Sequence, residues 1–394
     1  MRKRTPSSAL FIRGVDFSCQ FGMELLWLIN LFTSRFFRIG EQESKAIRHV
    51  QQLGLLAQKL NRTLVLPPMW KSRFGTCYRN SFNYYYDRDA FSRLGVVSET
   101  FEAFQLWISR RFSRPSSRIY DVLPRNAENN PSSQFEYAAV SESADHISKR
   151  KRHHCLGDKT PRLAIALTTN TIRAIMPKWH LDPRDTAGLA NDIVTILQQE
   201  TTSVIAMTWE LRHPLFHVPE DLQVEYARQW TGLAQSISRR ISPFIAVHWR
   251  METVPAHHMQ ACASGLVSTV NSIFHLRHKN SFTDAFNSPS DAVTVYLATD
   301  YPLESSTAGA HSGTFKDLQE HHHIAIRSFM DAFAPSGALA PLRLTSLAGE
   351  ISGEDRHGLR LEDMDSGLIG ILDKLIAMRS GWFVAGTTFC SRQR

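Results

Sequence analysis

Between residues 43 and 60 the apolar side chains Ala46, Ile47, Val50, Leu53, Leu56, Ala57 and Leu60 recur at helical spacing. Lys45, Arg48, Gln52 and Lys59 fall mostly opposite, which predicts an amphipathic helix. It leads into Leu64-Val65-Leu66, a short buried strand that Pro67-Pro68 stops. A second helix is predicted over 99–112 from Phe101, Phe104, Trp107, Ile108 and Phe112. Beyond it come five continuous apolar runs: Leu163–Leu167, Val204–Met207, Phe244–Val247, Val293–Ala298 and Trp382–Ala385. They do not alternate with polar residues, so they suit strands buried on both faces of a parallel sheet. Helical periods at 221–241 (Leu222, Tyr226, Trp230, Leu233, Ile237) and 365–379 (Leu368, Ile371, Leu372, Leu375) lie between them. The pattern is that of an α/β protein with two doubly wound sheets, the helix before Phe244 forming the joint.

Residues 113–160 break this pattern. Ser, Pro, Asn and charged residues dominate, and the stretch ends in Lys149-Arg150-Lys151-Arg152-His153-His154. It predicts a mobile insertion or long surface loop. The basic run predicts a solvated loop, with a nucleic-acid patch as the competing reading.

Composition narrows the class. A chain of 394 residues exceeds one ordinary core, so two domains are expected. With 43% hydrophobic and 21% charged residues it is globular rather than disordered or fibrous. The net charge of +8 favours anionic partners without choosing among them. Cys19, Cys77, Cys155, Cys262 and Cys390 form no C-x-x-C pair, so a structural zinc site of the usual spacing is not expected. They fit either a reduced compartment or one or two disulfides with a thiol left over. Leu25–Ile29, behind Arg2-Lys3-Arg4, is too short and too charged in its flanks to span a bilayer. A degraded signal-anchor, or weak membrane association at the N-terminus, is the second reading of that segment.

Candidate chemistry sits at strand ends. In Val247-His248-Trp249-Arg250-Met251-Glu252, His248 and Arg250 share a side at period two where a buried strand ends. Ligands of open α/β sheets bind outside the carboxyl ends of strands, and a guanidinium there grips phosphate oxygens as a fork. Pairing of Arg250 with Glu252 is the plain structural alternative. Asp300 closes a second such strand, Tyr296-Leu297-Ala298-Thr299-Asp300, as a ligand or as a cap. Gly40, before the first helix, permits close backbone approach to an anion at the helix N-terminus. No G-x-G-x-x-G fingerprint is present there, which disfavours a Rossmann dehydrogenase. His257-His258 and His321-His322-His323 lack partners at ligand spacing and are expected to be surface residues.

Together these segments resemble the GDP-fucose protein O-fucosyltransferase family, in particular its fungal members. Arg38-Ile39-Gly40-Glu41-Gln42, the apolar helix, and Leu60-Asn61-Arg62-Thr63-Leu64-Val65-Leu66-Pro67-Pro68 look like the family's opening. His248-Trp249-Arg250 looks like its His-x-Arg motif, Ala298-Thr299-Asp300 like its Ala-Thr-Asp motif, and Asp373 like its acidic residue ten positions before a strand Phe. The resemblance covers about residues 38–390 apart from 113–160. It implies two Rossmann-like domains facing across a cleft, the GT-B arrangement. It also implies inverting, metal-independent transfer of fucose from GDP-fucose to a Ser or Thr hydroxyl of a protein, or to a glycan. Arg250 would hold the β-phosphate, Asp373 would accept the guanine N–H donors, His248 would contact the nucleotide or orient Arg250, and Asp300 would belong to the donor site. Gly40 and Gln42 would line the sugar side. Glu41 stands where the family has Asn, and it or Glu43 would serve as general base. Thr387-Thr388-Phe389 stands where the family has a phosphate-gripping Ser-Ser-Phe-Thr run. Phe21 to Phe37 does not look like the family. The family implies the secretory pathway, and no cofactor beyond the donor substrate.

The resulting division is an atypical segment 1–37, a first Rossmann-like domain 38–235, and a nucleotide-sugar-binding domain 236–394. Two rivals stand beside the transferase: an inactive GDP-sugar-binding relative, altered at the Phe21 to Phe37 stretch or at the short C-terminal run, and a nucleic-acid-binding protein using residues 149–152. The expected partners are the nucleotide sugar and its acceptor, without nucleic acid.

Overall fold

The computed structural model describes residues 27–30, 43–70, 73–74, 80–112, 115–124, 136–140, 168–176, 185–209, 215–218, 223–280, 293–303, 318–351, 360–386 and 390. The strands are β1 (Trp27–Asn30), β2 (Thr63–Leu66), β3 (Met69–Trp70), β4 (Arg73–Phe74), β5 (Ser98–Thr100), β6 (Ser116–Pro124), β7 (Glu136–Val140), β8 (Thr168–Met176), β9 (Val204–Trp209), β10 (Phe244–Trp249), β11 (Thr294–Thr299), β12 (Arg343–Thr345) and β13 (Trp382–Val384). Seven of them form one sheet in the order β5-β2-β1-β9-β6-β8-β7, and four form a second in the order β12-β11-β10-β13. Every neighbouring pair in both sheets is parallel except the edge pair β7–β8. The α/β class with two parallel sheets is therefore as the apolar runs predict.

Three elements differ from expectation. The stretch 21–37, read from sequence as part of an atypical segment, supplies β1, which pairs with β2 on one side and β9 on the other. Both backbone edges of Trp27–Asn30 are thereby satisfied within the sheet. Residues 113–160, expected as a loop, supply β6 and β7. β6 pairs along nine residues with β8 and six with β9, so ladder hydrogen bonding overrides its Ser- and Pro-rich flanks. The helix expected over 221–241 starts at Arg228, after Tyr226 has bridged to Tyr86 as an extended residue. The boundary at 235 falls inside that helix, Arg228–Ile241. The run Leu163–Leu167 and the basic run 149–154 lie outside the described residues. Among the described residues no helix is long and apolar enough to cross a membrane.

The first helix, Glu43–Lys59, forms as its period predicts, and Asn61 ends it in the left-handed conformation at φ 51°. Asn tolerates that geometry better than most residues. Arg62, next in line, is buried and donates to the carbonyls of Glu200 (2.7 Å) and Thr202 (3.0 Å). The Leu-Asn-Arg-Thr-Leu run thus ties β2 to the segment entering β9.

The second sheet shows why its strands read as unbroken apolar runs. Phe244 and Ala246 of β10, with Tyr296 and Ala298 of β11, join one hydrophobic cluster. The alternate residues Ile245, Val247 and Trp249, with Val295 and Leu297, join another. On the second face lie the helices Met259–Asn280 and Glu320–Asp331, packed on each other. On the first face lies the helix Ser366–Ala377, packed on Arg228–Ile241. Arg228–Ile241 buries Trp230, Leu233, Ala234, Ile237 and Ile241, one stripe at helical spacing. The same cluster continues into Val50, Leu53 and Leu56 of Glu43–Lys59, so one apolar layer runs through both halves of the chain.

Asp365 joins the halves by polar contacts. As N-cap of Ser366–Ala377 its Oδ1 accepts from the amides of Gly367 (2.8 Å) and Leu368 (3.2 Å). Its Oδ2 accepts from Asn80 Nδ2 (3.2 Å) and from the hydroxyl of the buried Tyr85. Replacing it removes a cap and strands a buried hydroxyl. Asp365→Ala is expected to lower unfolding free energy by about 2–4 kcal/mol in urea titration, and Asp365→Asn by clearly less.

Candidate functional site

The order β12-β11-β10-β13 has a consequence for ligand binding. The chain lays β10, β11 and β12 in one direction, then returns to place β13 on the other side of β10. The winding reverses between β10 and β13, and the carboxyl ends of strands at such a reversal form the usual ligand crevice. Helix-covered strands end there because their backbone amides run out of sheet partners and must find others.

β10 ends in His248 and Trp249, and Arg250 follows, capping the one-turn helix Met251–Thr253. Asp300, at the end of β11, holds this corner. Its Oδ1 accepts from the amide of Met251 (2.8 Å) and its Oδ2 from that of Glu252 (3.1 Å). Burial raises the pKa of Asp300, and the two amide hydrogen bonds pull against that rise. The two contacts fix the backbone on which Arg250 stands, at a turn earlier in the chain than the one that follows Asp300. Arg250 itself lies 3.6 Å from Glu252, with 38% of its side chain exposed. A partly exposed pair of this length contributes about 0–1 kcal/mol, so an anionic ligand can compete for the guanidinium at small cost.

His248 is the exposed residue of an otherwise buried strand. Its pKa is lowered, first by desolvation and then by the Arg250 charge, so the ring is neutral at pH 7. It stacks on Phe383 of β13, with centroids 6.4 Å apart and planes 17° from parallel. Trp249, on the opposite face, is buried against Phe329.

Asp373 lies deeper than its sequence role suggests. It sits in Ser366–Ala377 and accepts from the hydroxyl of the fully buried Tyr296 at 2.6 Å. Tyr296 is two residues before Ala298, the register partner of His248. Asp373 therefore meets the sheet about 7 Å below the row of His248, one strand repeat down. Burial pushes its pKa up to about 7, and the Tyr296 hydrogen bond acts in the opposite sense.

The other expected site residues are placed less fully. Glu43 opens the helix that follows β1, on the side of the first sheet where β1 ends. Gly40, Glu41, Gln42, Thr387, Thr388 and Phe389 lie outside the described residues. Gly386, just before those threonines, adopts φ +106°, and Cys390, just after them, is disulfide-bonded to Cys262 of Met259–Asn280. The threonine run is thus bracketed by a left-handed turn and a covalent anchor. Among the described residues no three His, Cys, Asp or Glu side chains converge as a metal site. The histidine clusters are partly structural: His322, expected at the surface, is buried and its Nδ1 accepts from the amide of Gln319, while His323 pairs with the hydroxyl of Tyr301 (2.6 Å). The residues that sequence reasoning passed over are Phe383, Tyr296 and Asp365. Tyr296 carries a readable signal, a hydroxyl in the middle of an apolar run. Asp365 carries one too, as an Asp at the N-terminus of a helical period, whereas Phe383 carries none without the strand register.

Asp373 generates a pH prediction. Its folded pKa lies above the ordinary carboxyl value of about 4, so the folded state holds the proton more tightly than the unfolded chain. Its contribution is greatest below about pH 4 and is lost as pH rises towards 7. Asp373→Asn keeps an acceptor for Tyr296 and removes the ionisation. The Tm of the variant relative to wild type is expected to rise between pH 5 and pH 8, measured by thermal melts across that range.

No protein-family model matches the sequence, and no curated protein matches it. In three dimensions the chain is similar to solved structures of POFUT1. The apo form aligns at 12% identity and a TM-score of 0.43, covering 93% of this chain and 92% of that one. POFUT1 in complex with GDP-fucose aligns at 12% identity and 0.42, covering 92% and 89%. A second crystal form of that complex aligns at 14% and 0.42, covering 93% of each.

Proposed function

We propose that the chain is a glycosyltransferase of GT-B type that takes fucose from GDP-fucose. The observation that carries this reading is Arg250, set at the reversal point of a parallel sheet on a corner held by both oxygens of Asp300. The His-x-Arg and Ala-Thr-Asp sequences that resemble the fucosyltransferase family are the two strand ends that this contact joins.

In the proposed reaction an acceptor hydroxyl, of Ser or Thr in a protein or of a glycan, attacks the anomeric carbon of fucose. The bond from that carbon to the β-phosphate oxygen breaks on the opposite face, and its electron pair leaves with GDP. The hydroxyl proton passes to Glu43 or Glu41. Arg250 faces the β-phosphate and opposes the charge that grows there as the bond breaks. Because Asp300 fixes the corner beforehand, little reorganisation is left for the transition state, the condition under which such a contact is most effective. His248, neutral at pH 7, adds no charge and keeps the second strand end in place beside the nucleotide. Thr387 and Thr388 supply hydroxyl donors to the pyrophosphate, and Gly40 and Gln42 line the sugar. Asp373, one repeat below His248 and with its Oδ1 already accepting from Tyr296, is the group that the family resemblance assigns to the guanine N–H donors. Arg250 opposes part of the charge on the leaving diphosphate and the threonine hydroxyls donate hydrogen bonds to it, a reading in which no metal takes part. The Cys262–Cys390 disulfide supports an oxidising compartment, in keeping with the secretory pathway.

The test is calorimetric titration with GDP-fucose in EDTA, beside Arg250→Ala, followed by a transfer assay. Wild type is expected to bind GDP-fucose and GDP, and the variant to bind neither well. Loss of this one contact is expected to lower the transfer rate by about 10²–10³. Binding without transfer assigns the chain to the inactive relatives. Absence of binding by wild type overturns the reading.

A further inference from the structure

The face of the second sheet that carries Phe244, Ala246, Tyr296 and Ala298 is covered by Ser366–Ala377 only over its lower part. Along β10, Phe244 and Ala246 are buried, and the next residue on that face, His248, is exposed. On β13, the edge strand, this face is uncovered throughout: Gly381, Phe383 and Ala385 are all exposed. The register pairs Phe383 with Ala246, so Phe383 shares this face, yet it is 56% exposed. Two rings thus project from adjacent parallel strands, stacked within 17° of parallel, at the point where the sheet reverses. An exposed phenylalanine in the apolar run of a parallel strand is unusual, because such strands are ordinarily covered on both faces. Arg250 follows His248 by two residues at the same strand end, so the cation and the ring leave β10 together.

We propose that Phe383, backed by His248, is a stacking platform for the base of a nucleotide whose phosphates are held by Arg250. The proposal rests on the nucleotide-sugar reading and extends it to a residue that the reading does not use. The chemistry is selective in one respect only. Any base has a π-face, so a stacked ring supplies affinity without telling guanine from adenine. Discrimination is left to groups that meet the edge of the base. His248 is neutral at pH 7 and therefore offers a flat ring rather than a second cation, and Arg250 remains the charged contact for phosphate. A bidentate cation at one side and a ring pair at the other match the two ends of a nucleoside diphosphate.

The experiment is calorimetric titration of the full chain with GDP, ADP and inorganic pyrophosphate, for wild type, Phe383→Ala, Phe383→Trp and Arg250→Ala. Phe383→Ala is expected to weaken GDP and ADP by similar factors, about 5- to 100-fold, and to leave pyrophosphate binding unchanged. Phe383→Trp, which keeps an aromatic face, is expected to retain GDP binding. Arg250→Ala is expected to weaken all three ligands. Wild-type affinity for GDP in Phe383→Ala overturns the platform while leaving the nucleotide-sugar reading intact. So does loss of pyrophosphate in proportion to GDP, because that pattern reports a general disturbance of the site. GDP binding that survives Arg250→Ala but not Phe383→Ala keeps the platform and removes the role given to Arg250. Failure of wild type to bind any of the three ligands overturns both.

Discussion

The burial of β10 on both faces is the constraint on which the rest of the second half depends. A strand with apolar residues at every position has no face to give to water, so it requires a helical layer on each side. Met259–Asn280 and Glu320–Asp331 supply one layer, and Ser366–Ala377 with Arg228–Ile241 supplies the other. Parallel neighbours on both edges satisfy its backbone. The layer that includes Arg228–Ile241 also reaches Glu43–Lys59, so the same requirement joins the two halves through one apolar cluster. On one face the cover ends at His248, while Trp249 on the other face stays buried.

The polar contacts serve that frame in two ways. Asp300 and Asp365 each use both carboxylate oxygens, mostly on backbone amides at the start of a helical turn. Asp300 fixes the exit of β10, and Asp365 fixes Ser366–Ala377 while gripping Asn80 and Tyr85 from the first half. Asp373 is different. Its carboxyl is held in the layer against Tyr296, at a proton affinity well above that of a solvated acid. Three aspartates of one half thus do three jobs, and local sequence separates only the capping role with any force.

The disulfide adds a covalent restraint between two segments of the second half. Cys262 is buried in the helix after β10, and Cys390 follows β13 across 128 residues of sequence. The bond therefore joins the chain segments that leave the two strands flanking the reversal point. A Cβ at Gly386 would lie 3.1 Å from the Cβ of Cys390, so the left-handed glycine and the close disulfide turn belong together. Five scattered cysteines left the pairing open, because spacing along a chain does not report which residues meet.

Hydrophobic periodicity determined part of the element list. Glu43–Lys59, Phe101–Ser109, Ser366–Ala377 and strands β2, β9, β10, β11 and β13 follow directly from it, because residue spacing of 3.6 or an unbroken apolar run reports how many faces must be buried. It also placed His248 and Arg250 at a strand end. Strand order lay beyond it. β1 and β6 are recognisable only by their ladders, since a four-residue apolar run and a Ser-rich segment each fit several environments. Register likewise was decided only in three dimensions. It set Phe383 beside His248, sent Asp373 to Tyr296 rather than to the strand edge, and turned Asp300 towards the amides that position Arg250. Local sequence encodes the faces a segment must bury, whereas the partner on each face is a long-range contact that only the packed chain selects.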